Sequence, residues 1–481
     1  MKTGHSVPYS YSPDSTAAGI KQAYGELEPG SETGDIVVVA GRLMLRRVQG
    51  KLTFGQLADS SGRIQLFATV RDTPDFEEFG QLSLGDWIGV RGEVMTTRKG
   101  ELSIKVLEWT VLAETRRPFP DKWHGINDPD TRYRQRYVDL WVTDEARHTL
   151  TVRSRLISLT RRWLEDRGFM EVETPALHPV PGGALARPFS TFHNALDQEM
   201  FLRIAPELYL KRLVVGGFEK VFEIARVFRN EGISPRHNPE FTMLELYQAY
   251  ADWTDIMALV EDLVSYLAVE LTGSTTITYQ GREIELAAPW RRASLSTLIE
   301  EQIGLSLSVE TPIEELRSLC DKHSIEWKET YGTGKLLLEL YEKTAEAKQW
   351  QPVFVTEYPI EVSPLARPHR DLPGMTERFE AIVAGRELCN AFSELLDPDD
   401  QRERFEDQVR ERDNGDEEAM AVDEDYLRAL EYGLPPTGGL GIGIDRLVML
   451  LTDSATIRDV VLFPTLRPEQ ERGSASIDTE D

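Results

Sequence analysis

Cysteine is almost absent from this chain of 481 residues, which contains only Cys320 and Cys389. Two thiols so far apart in sequence exclude a disulfide framework and a cysteine-ligated metal cluster. Long apolar runs are missing as well, since none approaches the roughly 20 residues that a membrane-spanning helix needs. Residues 1–11 are polar and lack the apolar segment of a secretory signal. We therefore expect the protein in the cytoplasm.

Familiar phosphate-binding loops are also absent, because the sequence contains no Walker loop and no dinucleotide-binding fingerprint. The second half shows no regular alternation of strands with crossover helices. Its strand-like runs are separated by loops or irregular helices and lie at 201–204, 221–224, 241–246, 379–384 and 439–444. This pattern predicts an α+β domain with a mostly antiparallel sheet, in which an ATP-using enzyme needs another device to hold phosphate.

Positive charge is scarce: 54 lysines and arginines face 81 aspartates and glutamates, which gives a net charge of −27. Such a chain repels polyanions overall, so any RNA binding has to use local basic or stacking surfaces. The acids are densest in residues 397–431, where 15 acidic residues accompany five arginines. We interpret this stretch as a solvated helical surface.

The first part of the chain reads as a small barrel. Residues 1–33 are rich in Gly, Ser and Pro and show no sustained period, which predicts a loosely ordered leader. Short β-rich runs separated by turn residues follow at 36–40, 53–57, 63–68, 87–94 and 102–106. Five such runs predict a five-stranded oligonucleotide-binding barrel over 34–115, and the strand face of such barrels commonly binds single-stranded nucleic acid.

The rest of the chain reads as a connector and one large domain. We predict a connector at 116–148 and a larger domain at 149–468, followed by a polar tail at 469–481. Helical spacing over 150–167 predicts a long helix at the start of this domain. Residues 274–348 look like a helical insertion.

Basic side chains cluster around a loop between two predicted strands, where they are Arg229, Arg236 and His237. Guanidinium forks match phosphate oxygens, so such a loop can hold a polyphosphate without a glycine-rich cradle. Isolated arginines in a loop would be ordinary surface residues, but here Glu231, Phe241 and Glu245 lie in the same short stretch. The segment closely resembles motif 2 of the class II aminoacyl-tRNA synthetases.

Two further segments resemble the other motifs of that family. Residues 168–175, with the sequence GFMEVETP, look like motif 1, and residues 439–446, with the sequence GLGIGIDR, look like motif 3. Three further segments, 181–189, 203–212 and 386–395, resemble those of the lysine subfamily. Leu185 is a departure, because it replaces a residue that is usually small. The resemblance covers 35–468 and identifies the chain as similar to the class II lysyl-tRNA synthetases.

The resemblance implies an enzyme that activates lysine with ATP, giving lysyl-adenylate and pyrophosphate, and then transfers lysine to the 3′ end of tRNA(Lys). It also implies a homodimer built through the motif 1 segment. Catalysis would rest on Arg229, between the α-phosphate and the substrate carboxylate, and on Arg446, which would sandwich the adenine against Phe241. The implied ATP-binding set is Arg229, Glu231, Arg236, His237, Asn238, Phe241, Glu380 and Arg446.

Lysine and metal sites follow from the same resemblance. The implied lysine-binding set is Gly183, Glu207, Arg229, Glu245, Tyr247, Asn390, Phe392 and Glu394. Several carboxylates around one small site repel each other, and a ligand with two ammonium groups relieves that repulsion. Glu380 and Glu387 match the family's magnesium ligands, with up to three ions bound alongside ATP; hard oxygen donors suit this cation.

In the barrel, the positions that match the family's anticodon contacts are Arg47, Phe54, Gln65 and Glu101. Phe54 reads either as a base-stacking residue or as a core aromatic. The neighbouring Arg42, Arg46 and Lys51 are expected to form an edge that contacts phosphates.

Three other functions stay open from the sequence. An aspartyl- or asparaginyl-type synthetase shares this architecture, but it needs a cation where this chain offers Tyr247 and Glu394. A paralogue that transfers lysine to protein has no use for an anticodon-type barrel. A non-catalytic RNA-binding protein on the same scaffold would not need Arg229 and Arg446.

Overall fold

The computed structural model describes residues 7–117, 119, 125–413 and 420–469. The chain divides into two units, the first ending at Asp144 and the second beginning at Glu145. None of the helices within the described ranges combines the length and apolarity that crossing a bilayer requires. Parts of the predicted leader, connector, acid-rich stretch and polar tail lie outside the described residues, namely 1–6, 118, 120–124, 414–419 and 470–481.

Five strands close into a barrel in the first unit, in the order β1-β2-β3-β5-β4. They are β1 (Glu32–Gln49), β2 (Leu52–Ala58), β3 (Arg63–Thr69), β4 (Trp87–Thr96) and β5 (Leu102–Ala113). Neighbours pair antiparallel except β3 with β5, which pair in parallel. Alternate side chains fill the core, among them Leu66, Val90 and Ile104, none of which is exposed. The predicted five-stranded barrel is confirmed.

The leader prediction is wrong for its middle part, because α1 (Ala17–Tyr24) is a helix. Thr16 caps its first turn by accepting a hydrogen bond from the Gly19 amide at 3.2 Å, and Ala17 and Ile20 are buried in the barrel core. Eight residues are too short to show a period, so this helix owes its stability to its cap and to tertiary packing. The other helices of the first unit are α2 (Phe76–Phe79), α3 (Pro129–Arg134) and α4 (Arg136–Val142).

The second unit is built on an eight-stranded sheet in the order β14-β15-β16-β17-β18-β11-β10-β6. Its strands are β6 (Met170–Glu171), β10 (Lys220–Phe228), β11 (Glu240–Ala249), β14 (Arg291–Ser294), β15 (Val353–Thr356), β16 (Arg378–Val383), β17 (Arg386–Ser393) and β18 (Thr437–Gly443). Only the two edge pairs, β14 with β15 and β6 with β10, are parallel. The predicted mostly antiparallel sheet is therefore confirmed.

Smaller elements surround this sheet. A three-stranded sheet contains β7 (Leu177–His178), β8 (Ser190–His193) and β9 (Gln198–Leu202), and a hairpin contains β12 (Thr276–Tyr279) and β13 (Arg282–Glu285). The helices are α5 (Asp144–Glu165), α6 (Glu207–Val215), α7 (Trp253–Thr272), α8 (Leu295–Ile303), α9 (Ile313–Lys322), α10 (Thr333–Thr344), α11 (Pro398–Asp413), α12 (Glu424–Glu431), α13 (Ile444–Leu451) and α14 (Ile457–Val460). Short 3-10 turns lie at Glu346–Lys348 and Ile360–Val362.

The two faces of the large sheet have different roles. One face packs against α5, α7 and α13 and forms the main core, with Leu244, Ala391 and Leu440 buried. The predicted insertion at 274–348 supplies α8, α9 and α10, which enclose a core cluster of their own. The remaining part of the other face is left open in the middle of the sheet, and it carries the polar side chains described next.

Candidate active site

Alternation along four central strands gives the large sheet one apolar and one polar face. On β11, Leu244 and Leu246 enter the core, whereas Glu245 and Tyr247 point to the other side. β16, β17 and β18 follow the same rule, because side chains two residues apart share a face. The polar face lines a cavity of about 350 Å³, a size suited to a small-molecule ligand.

Glycines form the floor of this cavity. Gly439, Gly441 and Gly443 alternate on β18 with the buried Leu440 and Ile442. A Cβ atom at Gly439 would overlap the Glu394 carboxylate and come within 2.7 Å of the Tyr247 ring, and one at Gly441 would lie 3.1 Å from the Met243 methyl carbon. The bare backbone therefore leaves room for the Glu394 carboxylate, the Tyr247 ring and the Met243 side chain to pack against β18.

The loop between β10 and β11 supplies the basic side chains of the cavity. Arg229 lies at its start, where its amide donates to the Pro239 carbonyl at 2.8 Å and its guanidinium lies 5.2 Å from the centre of the Phe241 ring. Burial lowers the pKa of Arg229, which is opposed by Glu231 and Glu387. The group stays a cation in a site shielded from water, where it attracts anions strongly.

Three further residues of the loop line the same cavity: Arg236, His237 and Asn238. The His237 Nδ1 lies 3.0 Å from the Ser234 hydroxyl, and burial together with Arg446 lowers the pKa of His237. Asn238 is buried and fixes the loop, because its side chain donates to the Glu240 carbonyl at 2.6 Å and accepts from the Thr465 amide at 3.1 Å.

Arg446 enters from the first turn of α13. Its guanidinium donates to the Glu387 carboxylate at 2.9 Å and to the Glu387 carbonyl at 2.7 Å. The preceding residue, Asp445, anchors the turn by accepting from the Thr242 amide at 2.7 Å and pairing with Arg153 at 2.5 Å. Arg446 is thereby held in a defined place.

Glu380 and Glu387 lie on neighbouring strands of the same face. Glu387 pairs with Ile382, two residues beyond Glu380, after a bulge that keeps both carboxylates on the cavity side. Arg378 donates to Glu380 at 2.6 Å. Burial raises the pKa of Glu380 to about 7, against the effect of Arg378. Burial acts on Glu387 in the same direction, but Arg446 holds the pKa of Glu387 below its usual range.

These two carboxylates are the cavity's best candidates for metal binding. No group of three or more His, Cys, Asp or Glu side chains within the described ranges is arranged to hold a metal by itself. A pair of carboxylates fits magnesium, which usually takes one or two protein carboxylates and completes its shell with water and substrate phosphates. The donor set therefore fits a magnesium ion that binds together with a phosphate-bearing ligand.

Acidic groups cluster at the other end of the cavity. Glu207, Glu245 and Tyr247 line it, and the Glu394 carboxylate lies beside them, where a Cβ atom at Gly439 would stand. Burial raises the pKa of Glu394 to about 8, and burial together with Glu207 raises the pKa of Glu245 well above its usual range. Carboxylates shifted in this direction favour a ligand that brings positive charge.

The structure brings fifteen of the sixteen predicted catalytic, ATP, lysine and metal residues into the lining of this cavity, and the sixteenth, Glu394, lies against Gly439 at its wall. Gly183 takes part through a positive φ of 87°, and a Cβ there would lie 3.1 Å from that of Glu207. Asn390 and Phe392 follow on β17. Leu185, the departure from the lysine subfamily, lies in the wall and is 44% exposed. Cys389 faces the core, where burial raises the pKa of its thiol.

Sequence reasoning missed two charged residues of this site. Arg378 bonds Glu380 and also donates to the Asn390 side chain at 3.0 Å, so it joins two groups of the cavity. Lys211 is fully buried and forms ion pairs with Glu207 and Glu394. The spacing of Glu207 and Lys211, four apart on one helix, was a signal that could have found the second residue.

In the first unit, the predicted anticodon residues form one strip across the outside of the barrel. Arg47 pairs with Phe54 across β1 and β2, and Phe54 lies 5.4 Å from the ring of Phe67 on β3. Gln65 donates to the Ser103 hydroxyl at 2.8 Å, and that hydroxyl donates to the Glu101 carbonyl at 3.0 Å. Phe54 is half-buried and lies outside the core cluster, so its ring is open to a stacking partner.

The expected phosphate-contacting edge is wrong for two of its three residues. The Arg42 guanidinium packs within about 5 Å of the rings of Trp87, Phe119 and Trp141 and donates to the Gly85 carbonyl at 2.7 Å. Arg46 donates to the Leu82 carbonyl. Both arginines therefore hold the barrel together, and Lys51 alone of the three is exposed.

Comparisons with known proteins agree with this geometry. Residues 128–467 match the family described as tRNA synthetases class II (D, K and N), and residues 37–112 match the OB-fold nucleic acid binding domain. The chain is 52% identical over 477 residues to a lysine–tRNA ligase of Synechococcus sp. (strain RCC307), covering 98% of this chain and 95% of that protein. It is 53% identical over 475 residues to a lysine–tRNA ligase of Burkholderia pseudomallei (strain 1710b), covering 97% and 94%.

Proposed function

Because the chain belongs to the class II tRNA synthetases of the aspartate, lysine and asparagine group, we propose that it is a lysine–tRNA ligase. It activates lysine with ATP, releases pyrophosphate, and transfers lysine from the adenylate to the 3′ end of tRNA(Lys). The observation that carries lysine as the substrate is the acidic end of the cavity. Glu207, Glu245 and Glu394 are each less than a tenth exposed there, beside Tyr247.

An aspartate or asparagine substrate fits this end poorly. A substrate carboxylate needs a cation of its own, and the buried cation here, Lys211, is already paired with Glu207 and Glu394. A second anion would meet three carboxylates and one neutralised ammonium. A lysine side chain instead brings the positive charge that the Glu394 carboxylate can accept.

Activation then requires positioning more than covalent chemistry. The lysine carboxylate attacks the α-phosphorus and pyrophosphate leaves, so the protein needs no nucleophile of its own. Arg229 lines the cavity within electrostatic reach of both Glu245 and Glu387, so it can bond the attacking carboxylate and the α-phosphate together. Its guanidinium stabilises the charge that develops there in the transition state.

ATP occupies the opposite end. The Phe241 ring and the Arg446 guanidinium hold the adenine between them, combining stacking with cation–π contact, and Glu231 accepts from the adenine amino group. Arg236, His237 and Asn238 face the outer phosphates. All of these side chains line the one cavity, which supports the assignment.

Magnesium, with up to three ions per ATP, belongs to the carboxylate pair. When bound, it would neutralise charge on the phosphates of ATP and on the leaving pyrophosphate. Glu380 and Glu387 offer their oxygens to it, and Arg378 and Arg446 keep those carboxylates in place.

The barrel provides the RNA-binding surface. Arg47, Phe54, Gln65 and Glu101 read the anticodon through stacking and edge hydrogen bonds. Exposed apolar side chains in and beyond motif 1, such as Met170, Leu177 and Phe192, support a homodimer through this segment. The two cysteines are free and buried, which is in keeping with the cytoplasm as the compartment.

The test is amino-acid-dependent exchange of pyrophosphate into ATP, run with each amino acid separately. Lysine alone should support rapid exchange, and labelled lysine should then appear on tRNA(Lys). Exchange with aspartate or asparagine would overturn the substrate assignment. A chain that binds tRNA but exchanges with none of the amino acids would be a non-catalytic RNA-binding protein.

A further inference from the structure

A buried lysine lies at the acidic end of the cavity. Lys211 belongs to α6 and has no solvent exposure. Its Nζ lies 2.6 Å from the Glu207 carboxylate, one helical turn earlier, and forms a second ion pair with Oε2 of Glu394 from beyond β17. Lys211 is not among the residues predicted from the sequence to bind lysine.

The surroundings of Lys211 contain no other counter-ion among the described side chains that contact it. The rings of Phe392, Tyr247 and Tyr426 lie 5.5–5.9 Å from its Nζ. Their faces attract a cation weakly and exclude water. The ammonium is therefore held by two carboxylates and an aromatic wall, and Glu207 and Glu394 raise the pKa of Lys211 even though burial acts to lower it.

The two oxygens of Glu394 are used differently. Oε2 forms the ion pair with Lys211 and Oε1 lies over Gly439, and neither oxygen accepts a well-aligned hydrogen bond from the described residues. An undonated buried carboxylate oxygen is costly unless a ligand supplies the donor. Because Gly439 lines the cavity, a ligand ammonium in the cavity can supply it.

We propose that Lys211 is a positioning residue for substrate selection: it anchors one oxygen of Glu394 and partly neutralises the acidic cluster, so that the other oxygen is presented to the ammonium of the substrate side chain. This inference rests on the proposed function. Lys211 does not touch the substrate in this arrangement; it acts through Glu394 and Glu207. The cluster therefore carries its own resident cation and accepts one more.

Charge determines what happens when Lys211 is removed. The groups that face Glu394 are Lys211 and Glu207 from α6, Tyr247 from β11 and Tyr426 from α12. Burial raises the pKa of Glu394, Lys211 opposes this rise, and Glu207 adds to it. Loss of Lys211 thus favours the protonated form of Glu394, which cannot accept a charged hydrogen bond as an anion.

The experiment measures the Michaelis constant for lysine in pyrophosphate exchange across pH 6–9.5 for the wild type and Lys211→Met, which keeps the length and apolar stem of the side chain. We expect Lys211→Met to raise the Michaelis constant for lysine at pH 7 by roughly tenfold or more. The pH above which this constant stops falling should increase by about one unit or more. The Michaelis constant for ATP should change by less than about twofold, because the nucleotide contacts lie elsewhere.

A matched control and a second variant keep the result decisive. Lys335→Met removes another lysine paired with a glutamate one turn away, Glu339 at 3.1 Å, but outside the cavity; its pH profile should match the wild type. Glu207→Gln removes the carboxylate that competes with Glu394 for Lys211 and that raises the pKa of Glu394. The pH above which the Michaelis constant for lysine stops falling should therefore decrease, opposite to the effect of Lys211→Met. If thermal unfolding shows that Lys211→Met does not fold, the pH profile of Glu207→Gln alone tests the role of Lys211.

The outcomes separate the two claims. A wild-type chain without lysine-dependent exchange would overturn the proposed function and, with it, the role of Lys211. A wild type that activates lysine, with unchanged levelling-off points in the variants that fold, would overturn the role of Lys211 alone. A uniform loss of activity at every pH, for lysine and ATP alike, would show that Lys211 only supports the fold.

Discussion

The two proposed binding surfaces of this chain are built in opposite ways. In the second unit, the charged groups of the cavity hold one another: Arg446 bonds Glu387, and Arg378 bonds Glu380. In the first unit, Phe54 and Arg47 lie on the outside of a barrel whose own core they do not enter. The charged groups of the cavity are therefore fixed by one another, whereas the proposed RNA surface is an open strip.

This difference sets the expected size of mutational effects. Removing one of the paired charges of the cavity leaves its partner unpaired and displaces the reacting groups, so the loss is large. Removing one side chain from an open surface costs only that contact, and it leaves the chemistry in the other unit intact. The predictions below test this contrast, beginning with the largest effect.

Arg229→Ala should reduce lysine-dependent pyrophosphate exchange by about 10³-fold, since the loss of a single preorganised donor to transition-state charge costs about 10²–10³-fold. Steady-state exchange kinetics measure this. Arg402→Ala is the control: Arg402 pairs with Glu424 on the protein surface, and exposed ion pairs contribute little. A loss of less than about tenfold in Arg229→Ala would mean that substitutions in the cavity reduce activity no more than substitutions on an exposed surface, contrary to this expectation.

Glu394→Gln should raise the Michaelis constant for lysine by at least about 10²-fold, on the basis of about 3 kcal/mol for a buried charged partner. The Michaelis constant for ATP should change much less. Norleucine, which lacks the ammonium, should be rejected by roughly 10⁴-fold in the wild type and far less strongly by the variant. Exchange kinetics with lysine, ornithine and norleucine give these values.

Glu261→Gln is the matched control for that experiment, because Glu261 is also buried and hydrogen-bonded but lies outside the cavity. It should leave the preference for lysine unchanged. If Glu394→Gln keeps the parental preference for lysine over norleucine, Glu394 is not the specificity residue, and Glu245 or Glu207 takes its place.

Phe54→Ala should weaken tRNA charging by about 10–100-fold, because stacking of one base on an aromatic ring contributes about 1–3 kcal/mol. Pyrophosphate exchange should stay at the wild-type rate, since activation takes place in the second unit. Tyr9→Ala, which removes a fully exposed aromatic ring of the first unit, should affect neither assay. Equal losses in both assays for Phe54→Ala would return Phe54 to a structural role.

Much of this architecture could be predicted from local patterns. Short β-rich runs bounded by turn residues indicated the five barrel strands, and the glycine-rich run at 439–446 was predicted as a strand through its resemblance to motif 3. What escaped prediction depends on partners distant in sequence. Lys211 looks like an ordinary surface lysine of an amphipathic helix, and only the fold places Glu394 against it.

Arg42 was expected at a functional surface but has a structural role, for the same reason that its partners could not be predicted from local sequence. In sequence it belongs to a basic group next to a predicted RNA surface, so it reads as a phosphate contact. The fold surrounds it with three aromatic rings, and burial lowers the pKa of its guanidinium. Helix α1 was missed because its stability comes from burial of Ala17 and Ile20 rather than from its own pattern.

The pH dependence of lysine binding should distinguish the cavity from the barrel surface. In the cavity without ligand, burial raises the pKa of Glu394 to about 8. Bound lysine brings an ammonium and stabilises the ionised carboxylate, so below this pKa a proton has to leave Glu394 when lysine binds. The Michaelis constant for lysine should therefore fall as pH rises from 6 toward 8, by at most about tenfold per pH unit for one proton, and then level off. Glu394→Gln carries no titrating group at this position and should lose the dependence.

The exposed strip of the barrel offers no comparable buried acid among its described residues, so tRNA affinity, measured by filter binding with the same enzyme, should vary much less over this range. A Michaelis constant for lysine that is flat in the wild type would mean that Glu394 is already ionised when the cavity is empty, with Lys211 compensating its burial completely.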